Sequence, residues 1–242
     1  MEDFYGSDLA AIHAEAFETL AAAAAETVLA HVASPSPSRL LLDLGCGAGP
    51  LSLQLSQHGF RVWGVDLSPA LIELARARLP VGEFVNGSVV DVPLPTASAV
   101  VAVGEVLNYA TASDPDQLAQ VFERVFDALE PGGLFLFDLA GAGRGKVSQA
   151  FTEGADWAVG MIATEHNDLL TRQITSFRRT TDGAWRRGFE KHRLRLWAAS
   201  DVTSKLAAAG FNTALLDGYA GLQTPPSLQV YLAHKPSAAH GE

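Results

Sequence analysis

Two periodicities alternate between residues 39 and 140 of this 242-residue chain. Segments that are apolar throughout are typical of strands buried on both faces, and they occupy residues 39–45, 61–66, 83–88, 99–105 and 133–140. Helical patterns lie between them, at 51–57, 69–79 and 115–129. Ser68 is a predicted N-cap of the second helix, with Pro69 in its first turn. This alternation predicts a parallel sheet with right-handed crossovers.

Helical spacing also precedes the first predicted strand. Leu9, Ile12 and Leu20 recur at helical intervals in an alanine-rich segment at 8–32, which predicts one or two helices there. A linker rich in Pro and Ser follows at 34–38. We therefore expect a helical segment that lies outside the alternating region.

After residue 140 the pattern becomes that of an antiparallel sheet. Residues 156–197 predict three strands, and Asp182-Gly183 is the strongest hairpin signal between them. A helix is predicted over 200–209 and ends at Gly210. Two more strands are predicted, at 212–218 and 227–234.

Composition argues against several classes of partner and site. The chain has 17 Lys and Arg against 27 Asp and Glu, a formal net charge of −10, which disfavours nucleic acid or an anionic membrane as partner. The single cysteine, Cys46, excludes an internal disulfide framework and a multi-thiolate zinc site, and it fits a reducing cytoplasm. The acidic start MEDFYGSDLA argues against a secretory signal. The sequence also has no run of about 18–20 consecutive apolar residues, which a membrane span requires.

The net charge hides a basic segment. Residues 171–195 hold eight basic and two acidic residues, a local charge of +6, so the remainder carries −16. Strand alternation favours a solvated outer face for Arg193 and Arg195. The alternative is that some of these arginines, such as Arg172 and Arg178, attract an acidic acceptor or a partner surface.

Three glycines follow the first predicted strand at alternate positions, Gly45, Gly47 and Gly49, and Asp66 ends the second strand. Such a turn lets backbone approach a ligand closely, and an acid at this place accepts hydrogen bonds from ribose hydroxyls. The spacing departs from the dinucleotide pattern G-x-G-x-x-G, because Pro50 stands where its last glycine is required. The pattern predicts a nucleoside crevice without a pyrophosphate; the alternative is a tight turn beside a surface carboxylate.

These residues resemble the class I S-adenosylmethionine-dependent methyltransferases. Asp43 and the alternating glycines match the first motif of that family, Asp66 matches the acid of its second strand, and GSVVDVPLP, GEVLNY and LEPGGLFLFD agree with later motifs. The resemblance is strong from residue 39 to 138. It implies an α/β, Rossmann-like three-layer sandwich with a mostly parallel seven-stranded sheet, an antiparallel last strand, an antiparallel β insertion after strand five and an N-terminal helical lid.

We accordingly expect a single domain over 1–242. Its predicted parts are an N-terminal helical lid, a cofactor-binding core, a β insertion that covers the substrate, and a C-terminal helix with strands, at 1–33, 39–140, 145–197 and 198–235.

The resemblance implies S-adenosylmethionine as cofactor and S-adenosylhomocysteine as product. The backbone of Gly45 and Gly47 would hold the methionine part, with Asp43 bracing the loop, and Asp66 would accept hydrogen bonds from the ribose. The predicted cofactor-binding residues are Asp43, Gly45, Cys46, Gly47, Gly49, Asp66, Leu67, Ser88, Val89, Asp91 and Glu105.

Two of these contacts carry open alternatives. Many relatives place an aspartate on the adenine amine where this chain has Ser88, so adenine recognition would fall to the Val89 amide or to Asp91. Glu105 would lie beside the sulfonium; the alternative is a solvated carboxylate at a strand end.

Methyl transfer from a sulfonium is an in-line displacement that requires positioning and exclusion of water, and a general base only if the acceptor is protonated. His192 is the first candidate. Strand alternation places Glu190 and His192 on the same face as Leu194, the face that should be buried. A structural histidine is an equal alternative, although the E-x-H pair resembles one seen in small-molecule methyltransferases.

Other acceptor contacts are predicted at the N-terminus and beyond strand ends. His13 and Tyr5 resemble lid residues of small-molecule members, although a helical stripe containing His13 more often serves packing. Tyr109, Asn108 and Asp138 follow strand ends, where a parallel sheet keeps its ligands. We predict His192, Tyr109 and His13 as catalytic, and Tyr5, Asn108, Asp138 and Glu190 as substrate-binding.

The sequence therefore predicts a cytoplasmic methyltransferase, monomeric or homodimeric, that acts on an oxygen or nitrogen of a small molecule without a metal. Nucleic acid and membrane are not expected as partners. A non-catalytic cofactor-binding subunit and a protein methyltransferase remain alternatives. A nicotinamide-dependent oxidoreductase is disfavoured by the glycine spacing.

Overall fold

The computed structural model describes residues 5–16, 18–32, 39–146 and 149–237. The helices are α1 Ser7–Ala16, α2 Glu18–His31, α3 Pro50–Gln57, α4 Pro69–Arg78, α5 Val106–Ala110, α6 Gln117–Ala128 and α7 Ala199–Ala209. The strands are β1 Leu40–Leu44, β2 Arg61–Asp66, β3 Glu83–Asn86, β4 Ala97–Ala102, β5 Leu129–Ala140, β6 Gln149–Glu153, β7 Trp157–His166, β8 Leu169–Arg179, β9 Trp185–Arg195, β10 Asn212–Leu216, β11 Gly218–Tyr219, β12 Leu222–Gln223 and β13 Leu228–His234.

The main sheet has seven strands in the order β10-β13-β5-β4-β1-β2-β3. Strands β1 to β5 pair in parallel, whereas β13 runs antiparallel to both β5 and β10. The order reverses between β1 and β4, which is where open α/β sheets form their ligand crevice. The predicted Rossmann-like architecture with an antiparallel last strand is confirmed.

Helices cover both faces of this sheet, because alternate residues of the continuous apolar strands point to opposite sides. In β5, Leu134 and Leu136 pack into the cluster formed with α2, α3 and α4. Phe135 and Phe137 pack into the cluster formed with α6 and α7. The result is the three-layer sandwich.

A second sheet follows β5, with four antiparallel strands in the order β6-β7-β8-β9. Its inner face buries Leu170 and Leu194 against Ala140, at the carboxyl end of β5. The three strands predicted over 156–197 are β7, β8 and β9. This four-stranded sheet, β6 to β9, is called the inserted sheet below.

The start of α4 and the end of α7 lie where the sequence predicted them. Ser68 Oγ accepts a hydrogen bond from Leu71 N at 3.2 Å and caps α4, which begins at Pro69. α7 ends at Gly210, whose φ is 100°. The predicted linker at 34–38 lies outside the described residues.

Four short elements were not predicted. α5 has five residues, too few to show a helical pattern. β6 is exposed along its whole length and so lacks the buried apolar residues that mark the other strands. The two-residue strands β11 and β12 were not predicted either.

Within these described ranges, no helix combines the length and the apolar character needed to cross a bilayer.

Candidate active site

The loop between β1 and α3 is shaped by glycines in the left-handed region. Gly45, Gly47 and Gly49 have φ of 72°, 54° and 76°. A Cβ on Gly45 would lie 2.4 Å from Val106 Cγ2, whereas a Cβ on Gly47 would meet no atom within 4 Å. Because Gly47 lines a cavity, a side chain there would occupy space that the glycine leaves open.

Two carboxylates hold this loop in place. Asp66 at the end of β2 accepts hydrogen bonds from Gly47 N and Ser68 N, both at 2.9 Å. Asp43 in β1 accepts one from Ser52 Oγ at 2.7 Å. Burial raises the pKa of Asp43 to about 6 and also raises the pKa of Asp66.

The cavity bounded by this loop encloses about 1010 Å³, including space that opens to solvent. It runs from the glycine loop and the end of β2 to α1 and α5. Of the predicted cofactor-binding residues, those that line it are Asp43, Gly45, Cys46, Gly47, Asp66, Leu67, Ser88 and Val89.

Three predicted cofactor contacts lie elsewhere. A Cβ on Gly49 would lie 3.3 Å from the Cβ of Ala75, which places Gly49 against α4. Asp91 is exposed and, like Glu105, is not part of the cavity wall. Beyond β3 the wall is formed by Ser88 and Val89, and Arg124 of α6 donates to the Val89 carbonyl oxygen at 2.9 Å.

The other end of the cavity is walled by rings. Tyr5, His13 and Tyr109 line it, and the Tyr5 and His13 centroids are 4.8 Å apart. The predicted catalytic residue His192 is 1% exposed and lies behind this wall, with ring centroids 5.1 Å from Tyr5 and 5.6 Å from Tyr109. His192 is thus brought to the site, but not to the cavity surface.

The three rings that line the cavity, those of Tyr5, His13 and Tyr109, are uncharged at neutral pH. Burial, with a smaller contribution from His192, lowers the pKa of His13 to about 4. Burial likewise raises the pKa of Tyr5 and of Tyr109 above their ordinary value. The wall therefore offers neutral hydrogen-bonding groups and aromatic faces.

Behind Tyr109 lies a buried charge cluster. Glu105, at a left-handed φ of 63°, pairs with Arg144 Nε at 2.5 Å and Arg172 Nη1 at 2.6 Å. Burial alone would raise the pKa of Glu105, but the two guanidinium groups hold it below its ordinary value. Arg172 also donates to Tyr109 Oη at 3.2 Å, so the cluster fixes the position of that phenol.

Two predicted acceptor contacts bind the protein's own backbone instead. Asp138 accepts hydrogen bonds from Gly104 N at 2.9 Å, Glu105 N at 2.5 Å and Tyr219 Oη at 2.5 Å. The Asn108 side chain bonds to both backbone groups of Ala140 and to a further carbonyl in β9. Both side chains are fully buried and neither lines the cavity.

Glu190 holds the N-terminal segment over the site. Its carboxylate accepts hydrogen bonds from Tyr5 N at 2.8 Å and Gly6 N at 3.0 Å, and Oε2 lies 2.8 Å from His192 Nε2. Ser68 Oγ donates to Tyr5 O at 2.7 Å. Residues 5–16 therefore join the main sheet to the inserted sheet, and are called the N-terminal strap below.

The basic segment serves the fold at several points. Arg172 is largely buried, while Arg178 and Arg186 pair with Asp8 of the strap. The prediction of a solvated outer face holds for exposed Arg193 but is wrong for Arg195, whose side chain is 16% exposed and donates to the Thr111 carbonyl oxygen at 3.3 Å. Arg172 could have been found from the sequence, since it shares the parity of Leu170 and Ile174 in β8.

Comparison with known proteins agrees with this geometry. Residues 41–133 match the family model of a methyltransferase domain. A putative methyltransferase of Geobacillus sp. (strain WCH70) is 27% identical over 187 residues, which cover 72% of this chain and 74% of that protein. These matches support a class I S-adenosylmethionine-dependent methyltransferase.

Other relatives match over shorter stretches. The malonyl-[acyl-carrier protein] O-methyltransferase of Serratia marcescens is 32% identical over 110 residues, which cover 46% of this chain. The chain spans 42% of that relative's length. The match is thus confined to part of each protein.

Solved methyltransferases share the fold over nearly the whole chain. The sugar N-methyltransferase KedS8 from Streptoalloteichus sp. has a TM-score of 0.78 at 22% identity, covering 98% of this chain and 94% of that one. CalS10, an amino pentose methyltransferase from Micromonospora echinaspora, has a TM-score of 0.73 at 20% identity, covering 96% and 98%. The inserted sheet therefore belongs to an architecture that other methyltransferases share.

The cavity fits the cofactor of this family, S-adenosylmethionine. The open backbone at Gly47 admits a ligand where a Cβ would fill the space, and Asp66 presents a partly buried carboxylate at the end of β2. No group of three His, Cys, Asp or Glu side chains in the described parts of the chain is arranged to hold a metal ion.

Proposed function

We propose that this chain transfers the methyl group of S-adenosylmethionine to a nitrogen or oxygen of a small molecule. The observation that carries the proposal is a single cavity that runs from the glycine loop to a wall of Tyr5, His13 and Tyr109. One end has the features of a nucleoside site, and the other has neutral polar groups suited to an uncharged nucleophile. The two reactants would meet inside one enclosure.

The cofactor would lie along the glycine loop, with its methionine part over Gly45 and Gly47. Asp66 would accept hydrogen bonds from the ribose, since each carboxylate oxygen has a second lone pair besides the one used by Gly47 N or Ser68 N. Leu67, Ser88 and Val89 would contact the adenine. Because Val89 lines the cavity and Asp91 does not, the Val89 amide would recognise the adenine.

When bound, the cofactor supplies a sulfonium-activated methyl group. The residues of this chain have to orient the acceptor and exclude water. A neutral His13 ring nitrogen would accept a hydrogen bond from the acceptor N–H or O–H, and Tyr109, held by Arg172, would fix its second polar group. Because the pKa of His13 is about 4, its ring favours an acceptor that binds in the neutral form, such as an unprotonated amine.

His192 is proposed as a positioning residue. Its Nε2 donates to Glu190, because a carboxylate only accepts hydrogen bonds, and its ring packs between Tyr5 and Tyr109. It would thereby align both phenols with the acceptor.

The substrate class follows from the enclosure. The strap lines one side of the cavity and the inserted sheet packs behind that wall, within a proposed single domain. This arrangement suits an acceptor of metabolite size. The net charge of −10 disfavours nucleic acid. KedS8 and CalS10 are named for sugar acceptors, and amino sugars are therefore sensible first members of an acceptor panel.

Isothermal titration with S-adenosylmethionine tests the cofactor site. We expect binding by the wild-type chain and a loss of about 10- to 100-fold in affinity for Asp66→Ala, since hydrogen bonds from a ribose to a charged carboxylate contribute about 1.5–3 kcal/mol. Glu73→Ala, which removes an exposed carboxylate from the neighbouring helix α4, is the matched control. No binding by folded wild-type protein would refute the proposal.

Transfer of a labelled methyl group to a panel of amines, amino sugars and hydroxyl compounds tests the reaction. Turnover with any member supports an enzyme over a non-catalytic cofactor-binding subunit. Tight cofactor binding combined with no transfer to small molecules, and transfer to protein instead, would overturn the acceptor class.

A further inference from the structure

The outer face of the inserted sheet carries large apolar side chains in contact with solvent. Phe151 is 68% exposed, Phe189 and Trp185 are each 54% exposed, Ile162 is 51% exposed and Phe177 is 40% exposed. Strand pairing places them on one face: Phe151 in β6 lies in the same row as Phe189 in β9, across Gly160 and Thr175. A contiguous apolar face of this kind marks an interaction surface.

The inner face of the same sheet is already occupied. Leu170, Leu194 and Ala163 are buried against the main sheet, and His192 lies at the site. Since alternate residues of a strand point to opposite faces, the outer aromatic residues do not serve the fold of this chain. Their exposure is independent of the proposed activity.

The size of the face suits an interface between two copies. The four strands have 5, 10, 11 and 11 residues; at about 3.3 Å per residue and about 4.8 Å between strands, they cover roughly 600 Å² per copy. Two facing copies would bury roughly 1,200 Å², at the lower end of the range of about 1,200–2,000 Å² for stable interfaces. Antiparallel sheets also pack face to face with their strands nearly aligned.

A two-fold axis can set each row of outer residues opposite the same row of a second copy, with complementary residues facing each other. Glu153, Ala158, Phe177 and Arg187 form one row from β6 to β9. A two-fold axis parallel to the strands, midway between β7 and β8, sets β6 of one copy opposite β9 of the other. Glu153 would then face Arg187 of the partner subunit, and small Ala158 would face the partner's Phe177.

The row containing Phe151 is matched in the same way. Phe151 would face the partner's Phe189, at a place where Gly160 leaves a dimple in the sheet that admits an aromatic ring. Every such contact occurs twice in an isologous dimer, the commonest form of homo-oligomer.

We propose that the outer face of the inserted sheet binds a second copy of this chain, so that two four-stranded sheets pack face to face about a two-fold axis parallel to their strands.

Sedimentation of the full chain over about 1 to 100 µM tests this proposal. Wild-type protein should be dimeric, and Phe151→Glu should raise the dimer dissociation constant by at least about 30-fold, because a charge would replace an aromatic ring that packs against the partner's Phe189. Leu215→Glu changes an exposed apolar strand residue of the main sheet, 57% exposed, and should leave the dimer unchanged. Circular dichroism and S-adenosylmethionine binding report whether each variant is folded.

Charge reversal tests the axis and keeps the proposal falsifiable if Phe151→Glu does not fold. Glu153→Arg or Arg187→Glu alone should weaken the dimer by about 10-fold, and the double variant should restore it. A wild-type chain that stays monomeric, or a dimer insensitive to all these changes, overturns the proposal. Monomers that bind phospholipid vesicles through Phe151 would assign the face to a membrane and overturn it equally.

Discussion

The His13 imidazole is held neutral by its surroundings, and this gives the chain a specific response to acid. Its pKa falls from 6.5 to about 4 because the ring is buried. Between these values the unfolded chain binds a proton that the folded chain does not. The free energy of unfolding therefore decreases as the pH falls through this window.

Replacing His13 should remove this part of the pH dependence. When the pH falls from 7 to 5, the unfolding free energy of wild type should decrease by about 2 kcal/mol more than that of His13→Gln. Urea denaturation at both pH values measures this difference. His58→Gln, at an exposed histidine, should show no such gain. An equal pH response of wild type and His13→Gln would contradict the buried, neutral state of His13.

The comparison between variants is needed because buried carboxyl groups respond with the opposite sign. Burial raises the pKa of Asp43 and of Asp138 to about 6. Each is then protonated in the folded chain at pH values where the unfolded chain has released that proton. Their contribution to stability is present below pH 3.8 and is lost as the pH rises through about 6, so wild-type stability alone would mask the effect of His13.

At the scale of elements, the N-terminal strap depends on one side chain of the inserted sheet. Glu190 accepts hydrogen bonds from Tyr5 N and Gly6 N. Hydrogen bonds to a charged group contribute about 1.5–3 kcal/mol each. Removing this carboxylate should release the segment that carries Tyr5 and His13 into the cavity wall.

Glu190→Ala should speed amide hydrogen exchange in residues 5–16 by at least about 10-fold, with the core strands unchanged. The proposed enzyme should show a higher KM for its acceptor. Glu83→Ala, at an exposed carboxylate of β3, serves as control. Unchanged exchange in the strap of Glu190→Ala would mean that other contacts, such as Asp8 with Arg186, hold it alone.

The elements differ in how far the sequence predicted them. Strands β1, β2, β4 and β5 are continuous apolar runs, and burial on both faces is what produces that pattern. β6 is exposed on both sides and has no such pattern. Hydrophobic periodicity reports burial, so it cannot reveal a strand held only by backbone pairing.

The site shows the same limit. The glycine loop and Asp66 are local in sequence, and their positions at strand ends were predicted. The contact of Glu190 with Tyr5 spans 185 positions, and no periodicity encodes it. Asn108 and Asp138 were predicted near the crevice, but whether a polar group there faces a ligand or the backbone depends on side-chain direction.

At the scale of the whole molecule, the cavity is lined by elements that lie far apart in the sequence. The glycine loop belongs to the main sheet, Tyr109 to α5, and Tyr5 and His13 to the strap. A ligand that touches all of them should stabilise the folded chain as a unit, since binding to the folded state alone adds to its stability.

S-Adenosylmethionine at about 100 times its dissociation constant should add about 2.7 kcal/mol. For a chain of this size the melting temperature should rise by about 5–10 °C, as measured by differential scanning fluorimetry. Asp66→Ala should show a smaller rise at the same cofactor concentration. A rise of the same size in Asp66→Ala would exclude that carboxylate from the cofactor site.

In the inserted sheet, Arg172 and His192 point inward, whereas Phe151 and Phe189 point outward. Neighbouring residues of each strand point to opposite faces, so a shift by one residue exchanges the two sets. Loss or gain of one residue within β8 would exchange the faces beyond that point, exposing guanidinium or burying polar groups in the core. Length changes should thus survive at the turns, such as the Thr180–Ala184 hairpin, where the chain turns in solvent. Among natural relatives, we expect this sheet to vary in length at its turns and to keep its strands free of single-residue insertions and deletions.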